Sequence, residues 1–64
     1  MKHNETREYA DWLVECIVGT GLVEKWWESR NKSFDMQTPN QMWIDDKKRV
    51  LYYLNGHVLG GGYL

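Results

Sequence analysis

The sequence predicts an all-α fold, a small bundle of three to four short helices followed by a glycine-rich carboxy-terminal tail. Three observations predict this class. Apolar residues recur at helical spacing, glycines and asparagines separate the apolar segments, and the alternating pattern of a half-buried strand is nearly absent. A chain of 64 residues provides for one domain. We therefore expect a single helical domain over residues 1–64.

The first helix is predicted over residues 4–18. Its inward face is expected to carry the apolar side chains at i, i+3, i+4, i+7 and i+8, which are Tyr9, Trp12, Leu13, Cys16 and Ile17. Asn4 is the predicted N-cap, and Gly19 ends the helix because glycine tolerates a left-handed backbone. On the inward face Cys16 would be a buried, inert thiol. An acidic stripe is expected on the opposite face, formed by Glu8, Asp11 and Glu15.

The second helix is predicted over residues 22–30. It repeats the same spacing with Leu22, Val23, Trp26 and Trp27. The next segment, residues 31–37, has no period and several turn formers, so it is predicted to be a loop. Two apolar side chains within it are expected to anchor the loop to the core, Phe34 and Met36.

The third helix is predicted over residues 39–44, after a start signal in the sequence. Thr38 provides an N-cap hydroxyl, Pro39 occupies the first helical position, and Gln41 would complete a capping box. This short helix carries Met42, Trp43 and Ile44.

The fourth helix is predicted over residues 46–55, with Asp45 or Asp46 as its cap and the Asn55-Gly56 pair at its end. The side chains expected to face inward are Val50, Leu51 and Leu54. Residues 56–64 are then predicted to form the glycine-rich tail.

The composition disfavours several classes of function. Eight basic residues oppose nine acidic ones, whereas a surface that neutralises phosphates is expected to be strongly basic. One cysteine forms no internal disulfide. The amino-terminal segment lacks the apolar run of a signal peptide, and no stretch approaches the ~18 apolar residues of a membrane span. We therefore expect a cytoplasmic protein.

The inventory of reactive groups favours a protein that is not an enzyme and has no metal or cofactor. One cysteine and two separated histidines, His3 and His57, do not have the spacing of a zinc site. A Cys16–His57 pair is conceivable as a nucleophile and base, but an inert buried thiol is favoured. The acidic pair Asp45-Asp46 could bind a metal, yet a helix cap explains it better.

The candidate partner-binding residues lie on the last helix and in the tail. Tyr52 is expected to be exposed, because at about 100° per residue it points away from Leu54, and Lys48 and Arg49 flank it. Aromatic and arginine side chains dominate interface hot spots. The apolar tail residues either complete the core or dock on a partner. The predicted partner-binding set is Lys48, Arg49, Tyr52, Val58, Leu59, Tyr63 and Leu64.

From Trp26 to Gly60 the chain contains, in order, a tryptophan pair, an asparagine-containing turn with a bulky apolar residue, a Thr-Pro helix start and a glycine-punctuated end. This order resembles the toxin-binding domain of the Xre/MbcA/ParS antitoxins. Arg30 stands where that family usually has proline, and Asp35-Met36 where it usually has two glycines. The matching residues are Trp26 or Trp27, Asn31, Phe34, Thr38, Pro39, Val50, Leu54 and Gly60.

The resemblance implies a free-standing helical module, without the family's DNA-binding part, that binds a partner enzyme and occludes its site with carboxy-terminal residues. In the family the partner is often a RES-type NAD-consuming toxin. A phage- or plasmid-encoded inhibitor of a host enzyme would have the same form.

Two alternatives come from other classes. One is a small nucleic-acid-binding or regulatory protein that uses the cations and the aromatic ring of the last helix, namely Lys47, Lys48, Arg49 and Tyr52. The other is a homo-oligomer whose glycine-rich tail closes a dimer.

Overall fold

The computed structural model describes residues 5–60, which form four α-helices joined by short turns. The helices are α1 (Arg7–Val18), α2 (Val23–Glu28), α3 (Pro39–Asp45) and α4 (Lys47–Val58). Turns of 3-10 helix precede α2 and follow it, at Thr20–Leu22 and Lys32–Phe34. Within residues 5–60, strand-like pairing is confined to one bridge between Asn31 and Gln37. The all-α prediction is confirmed.

The core lies where α1 and α4 meet the two shorter helices. α4 packs against α1 and α3, and α2 packs against the same two helices. The prediction that Val50, Leu51 and Leu54 face inward is confirmed. The buried apolar side chains are Ala10, Leu13, Val14, Trp27, Phe34, Met42, Val50, Leu51 and Leu54.

The buried face of α1 differs from the predicted one. Ala10, Leu13 and Val14 are buried, whereas the side chain of Trp12 is 52% exposed. Because α1 is apolar around much of its circumference, spacing alone is compatible with more than one inward face. The small Ala10 lets the neighbouring elements approach closely, since the distance between helix axes depends on the side chains at the contact. The prediction of an inward Trp12, Cys16 and Ile17 is therefore wrong, and Tyr9 is half-buried.

Trp27 is the largest fully buried side chain among the described residues, and polar groups of α1 hold it on two sides. Its indole Nε1 donates a 2.7 Å hydrogen bond to Asp11 Oδ1. The Arg7 guanidinium lies 3.6 Å from the centroid of the indole ring, within the range of a cation–π interaction. Arg7 also donates to Asn40 Oδ1 at 2.8 Å. Asp11, predicted as part of an acidic stripe, is thus half-buried and part of the support of Trp27.

The cap of α1 is Thr6, and the predicted cap Asn4 lies outside the described residues. Thr6 has an extended backbone, and its Oγ1 accepts from the Tyr9 amide at 3.1 Å. At the other end, Gly19 has φ 93° and its amide donates to the Glu15 carbonyl. The prediction of Gly19 as the end of the helix is confirmed.

α3 begins as the sequence predicts, with Thr38 as N-cap and Pro39 at the first position. Thr38 Oγ1 accepts from the Gln41 amide at 3.1 Å. The Gln41 side chain, however, donates to Asp45 Oδ1 at 3.2 Å, one turn along the helix. The reciprocal half of the predicted capping box is therefore not formed.

Thr38→Ala is expected to lower the free energy of unfolding by about 1 kcal/mol, because the Gln41 amide loses its capping acceptor. Chemical denaturation followed by circular dichroism would measure the change. Gln41→Ala is the matched control and should cost less, since its side chain is exposed and bonds only along the helix. Equal effects of the two substitutions would contradict the assigned cap.

α4 is longer than predicted, and neither of its ends follows the prediction fully. Asp46 occupies the N-cap position, but its side chain makes no capping hydrogen bond. The helix continues past Asn55-Gly56 to Val58, so the predicted end at this pair is wrong. Inside the helix, the side-chain amide of Asn55 has partners for both of its polar atoms. It donates a hydrogen bond to the Leu51 carbonyl at 2.9 Å and accepts one from the Tyr9 hydroxyl at 3.0 Å.

The loop between α2 and α3 is anchored by one of the two predicted side chains. Phe34 is fully buried, as predicted, but Met36 is 50% exposed. Asp35 and Met36 both have left-handed backbones, with φ 57° and 67°, which reverse the chain directly after Phe34. The prediction of Met36 as a second anchor is therefore wrong.

Candidate functional site

A groove of about 340 Å³ lies between α4 and the loop that follows α2. Two of the predicted partner-binding residues, Arg49 and Tyr52, are among those that line it. The complete lining consists of Ser33, Phe34, Arg49, Tyr52, Tyr53, Gly56 and His57. We call this feature the α4 groove.

One wall of the α4 groove is a stripe along α4 with i, i+3, i+4, i+7 and i+8 spacing, formed by Arg49, Tyr52, Tyr53, Gly56 and His57. This stripe runs beside the buried stripe of the same helix. Gly56 leaves the groove open in its middle, because a Cβ built there meets nothing within 4 Å. The width of the groove thus depends on a residue without a side chain.

The base of the α4 groove is a set of aromatic rings in mutual contact. The Tyr53 ring lies 5.2 Å from Phe34 in an edge-on arrangement and stacks on Trp26 at 6.3 Å. The His57 ring also lies 4.3 Å from Tyr53. Ring pairs at these distances contribute beyond the apolar area that they bury. Tyr53 is therefore held by contacts with three other rings, and the base of the groove is preformed.

The rim of the α4 groove carries an exposed ring and an ordered cation. Tyr52 is 72% exposed, which confirms the prediction from its helical position. Arg49 Nη2 donates to the Ser33 carbonyl at 2.8 Å, and Arg49 Nη1 lies 3.5 Å from Asp35 Oδ2. The Ser33 carbonyl thus holds the guanidinium at the edge of the groove, with the Asp35 carboxylate beside it.

The remaining predicted partner-binding residues are not gathered in the groove. Lys48 is exposed on α4, and Leu59 is 53% exposed just beyond it. Val58 is half-buried and packs against the core. Tyr63 and Leu64 lie outside the described residues.

Sequence reasoning missed several of the groove residues. The signal for Tyr53 and His57 was present in the i, i+4 spacing, but the predicted helix ended at Asn55, so His57 was not placed on it. Phe34 was predicted as an anchor alone, and nothing in the local pattern places Ser33 beside α4. The Arg49 hydrogen bond to Ser33 joins residues that are 16 positions apart.

The three cations at the start of α4 do not form one basic patch. Lys47 Nζ lies 4.0 Å from Glu5 and 5.9 Å from the Trp43 ring, on the side of α1 and α3. Arg49 points instead to the loop after α2. A phosphate-binding surface needs its cations clustered on one face, so this geometry lends the nucleic-acid alternative little support.

Within residues 5–60, no three His, Cys, Asp or Glu side chains are grouped closely enough to hold a metal ion. Over the same range, every helix is too short or too polar to cross a bilayer. Comparisons of the chain with protein-family models, with characterised proteins and with solved structures find no match.

Proposed function

We propose that this chain is a non-enzymatic protein-interaction module that binds a partner enzyme through the α4 groove and inhibits it. The observation that carries the proposal is the construction of the groove, in which Tyr52 and an ordered Arg49 border a preformed aromatic base. Tyrosine, tryptophan and arginine supply much of the binding energy at protein interfaces. A preformed site also lowers the ordering cost of association.

The resemblance to the toxin-binding domain of the Xre/MbcA/ParS antitoxins supports this function. Thr38 and Pro39 open α3, as the corresponding pair is expected to do in the family. Asp35 and Met36, which stand at the usual glycine pair, both have positive φ, a conformation that glycine adopts without strain. The turn is thus compatible with the family pattern despite the different residues. A RES-type NAD-consuming toxin is accordingly the proposed class of partner.

The charges around the groove support a particular chemistry of the partner segment. Arg49 places positive charge at the rim, the exposed Lys48 precedes it on α4, and Phe34 and Tyr53 provide an apolar surface between the walls. An acidic segment with a protruding apolar side chain would complement both features. Asp35 is the acidic neighbour of Arg49, and its exposed carboxylate gives the pair little strength in water.

Gly56→Leu is the sharpest test of the groove, because it should fill the binding surface without harming the fold. Leucine has a better helix propensity than glycine, so the free energy of unfolding should rise by up to about 1 kcal/mol. The Leu side chain would occupy the open middle of the groove, and partner affinity should fall about tenfold or more. Calorimetric titration and thermal denaturation would measure the two effects.

Tyr52→Ala should give the same loss of affinity with an almost unchanged thermal midpoint, since exposed side chains contribute little to stability. Ile44→Ala is the matched control, because Ile44 is exposed on α3 and does not line the groove. To test the positive charge, Lys48→Glu is preferable to a substitution of Arg49, because Arg49 also contacts the loop after α2. Unchanged affinity in the Gly56→Leu and Tyr52→Ala variants would place the contact elsewhere.

Identification of the partner would use affinity capture with the intact chain, the Tyr52→Ala variant and the Ile44→Ala control in parallel. A specific partner is retained by the intact chain and the control and lost by Tyr52→Ala. The purified partner is then assayed with increasing amounts of the chain, and inhibition should saturate with binding. An undiminished partner activity at saturation would contradict the inhibitory role. Steep salt dependence with bound nucleic acid would favour the nucleic-acid alternative.

A further inference from the structure

Within residues 5–60, the outer side of α1 carries exposed side chains that do not belong to the core. Trp12 and Cys16 lie one turn apart and are both exposed. Two acidic side chains, Glu8 and Glu15, lie within the same arc of about 100° at 100° per residue. We call these four residues the outer face of α1. It is distinct from the α4 groove, whose lining includes none of them.

Trp12 is positioned for contact by the residues beneath it. Its ring lies 5.9 Å from the Tyr9 ring, and the Tyr9 hydroxyl is tied to Asn55 Oδ1 of α4. The exposed indole therefore rests on a neighbour that is fixed to the bundle. Large, ordered, exposed aromatic side chains are the residues on which interface hot spots are built.

The charges beside Trp12 decide which partner suits this face. Arg7 and Asp11, on the same helix, are turned towards Trp27 and are occupied there. The outer face keeps the carboxylates of Glu8 and Glu15, of which Glu15 accepts a hydrogen bond from Thr20 Oγ1. A second copy laid on this face by a two-fold axis would bring like charges together, and an anionic membrane would also be repelled.

We propose that the outer face of α1 binds a basic amphipathic helix of another protein. Aliphatic side chains of that helix would cover Trp12 and Cys16, and its lysines or arginines would lie against Glu8 and Glu15. This is the mode in which one helix lays its apolar stripe on another, with charged flanks setting the choice of partner. The surface is independent of the α4 groove, so the chain would have two docking sites of opposite charge.

The probe is a fluorescein-labelled synthetic helix with leucines at i, i+3, i+4 and i+7 and lysines on both flanks. A second peptide has glutamates in place of the lysines. Anisotropy titrations with the full chain should show saturable binding of the lysine peptide and binding at least about tenfold weaker for the glutamate peptide, a difference of about 1.4 kcal/mol. Trp12→Ala should weaken binding of the lysine peptide by a similar factor, whereas Tyr52→Ala should leave it unchanged. Exchanging both Glu8 and Glu15 for lysine should reverse the preference between the peptides.

Cys16 can report where the peptide binds, because it is the only cysteine in the chain and is exposed. Bound lysine peptide should slow the alkylation of Cys16 by a maleimide, and the glutamate peptide should not. Equal binding of both peptides, no saturable binding, or an unprotected Cys16 would overturn the proposal. A concentration-dependent dimer that Trp12→Ala abolishes would assign the face to a second copy instead. Circular dichroism of each variant checks that the helices persist.

Discussion

Trp27→Ala is expected to lower the free energy of unfolding by about 3–5 kcal/mol, the cost of removing a buried tryptophan. The side chain is 1% exposed, and it contacts the Trp43 ring edge-on at 5.6 Å. Its removal also takes a hydrogen-bond donor from Asp11 and an aromatic surface from Arg7. A chain of 64 residues is expected to have a free energy of unfolding of roughly 3–10 kcal/mol, at about 0.05–0.15 kcal/mol per residue. The substitution should therefore remove at least about a third of the free energy of unfolding, and all of it at the lower end of this range.

Trp12→Ala is the matched control, because the same substitution on an exposed side chain should cost no more than about 1 kcal/mol. Urea denaturation followed by far-ultraviolet circular dichroism would compare the two variants on one scale. Trp27→Phe keeps an aromatic ring but removes the indole N–H and part of the buried volume, so its cost combines the hydrogen bond to Asp11, worth about 1–2 kcal/mol, with that of a smaller cavity. Similar costs for Trp27→Ala and Trp12→Ala would mean that the buried face of α1 is wrongly assigned.

Phe34→Ala is expected to have an effect of similar size, about 3–5 kcal/mol, although the residue lies outside the four α-helices. Phe34 is fully buried, and its ring contacts Tyr53 at 5.2 Å and Trp26 at 6.4 Å. Its loss would open a cavity under the loop and remove part of the base of the α4 groove. Both the unfolding free energy and partner affinity should fall, measured by urea denaturation and by titration.

Met36→Ala provides the control in the same loop and should change stability by no more than about 0.5 kcal/mol, because the Met36 side chain is half exposed. Phe34→Leu separates the two roles of Phe34. It preserves most of the buried volume, so the chain should stay folded at a cost of about 1.5 kcal/mol while the groove loses a ring. Partner affinity that is unaffected by Phe34→Leu would remove Phe34 from the binding surface.

Helices α1 and α3 were predictable because each begins or ends at a local signal. The hydroxyl of Thr38 and the fixed φ of Pro39 act within one turn of chain, as does the positive φ of Gly19. The predicted end of α4 at Asn55 was wrong. The Asn55 side chain accepts a hydrogen bond from the Tyr9 hydroxyl, 46 positions away in the sequence. A residue that favours turns can continue a helix when a distant partner satisfies it.

The candidate site was only partly predictable, for a related reason. The exposure of Tyr52 could be predicted from spacing, because it depends only on the position of the residue around the axis of one helix. The groove around it requires the loop after α2 to lie beside α4, and the contacts that place it there join Arg49 to Ser33 and Phe34 to Tyr53. No pattern of residues along the chain specifies these pairs in advance.

The sequence by itself determined the all-α class, the cap at Thr38, the inward residues of α4 and the exposure of Tyr52, since these depend on periodicity and on hydrogen bonds within one turn. The tertiary structure decided which apolar side of α1 is buried. Ala10 and Val14 fit against the neighbouring elements, and Trp12 and Cys16 are left outside. Burial is a property of two surfaces in contact, so a helix with more than one apolar side does not reveal its inward face until its neighbours are in place.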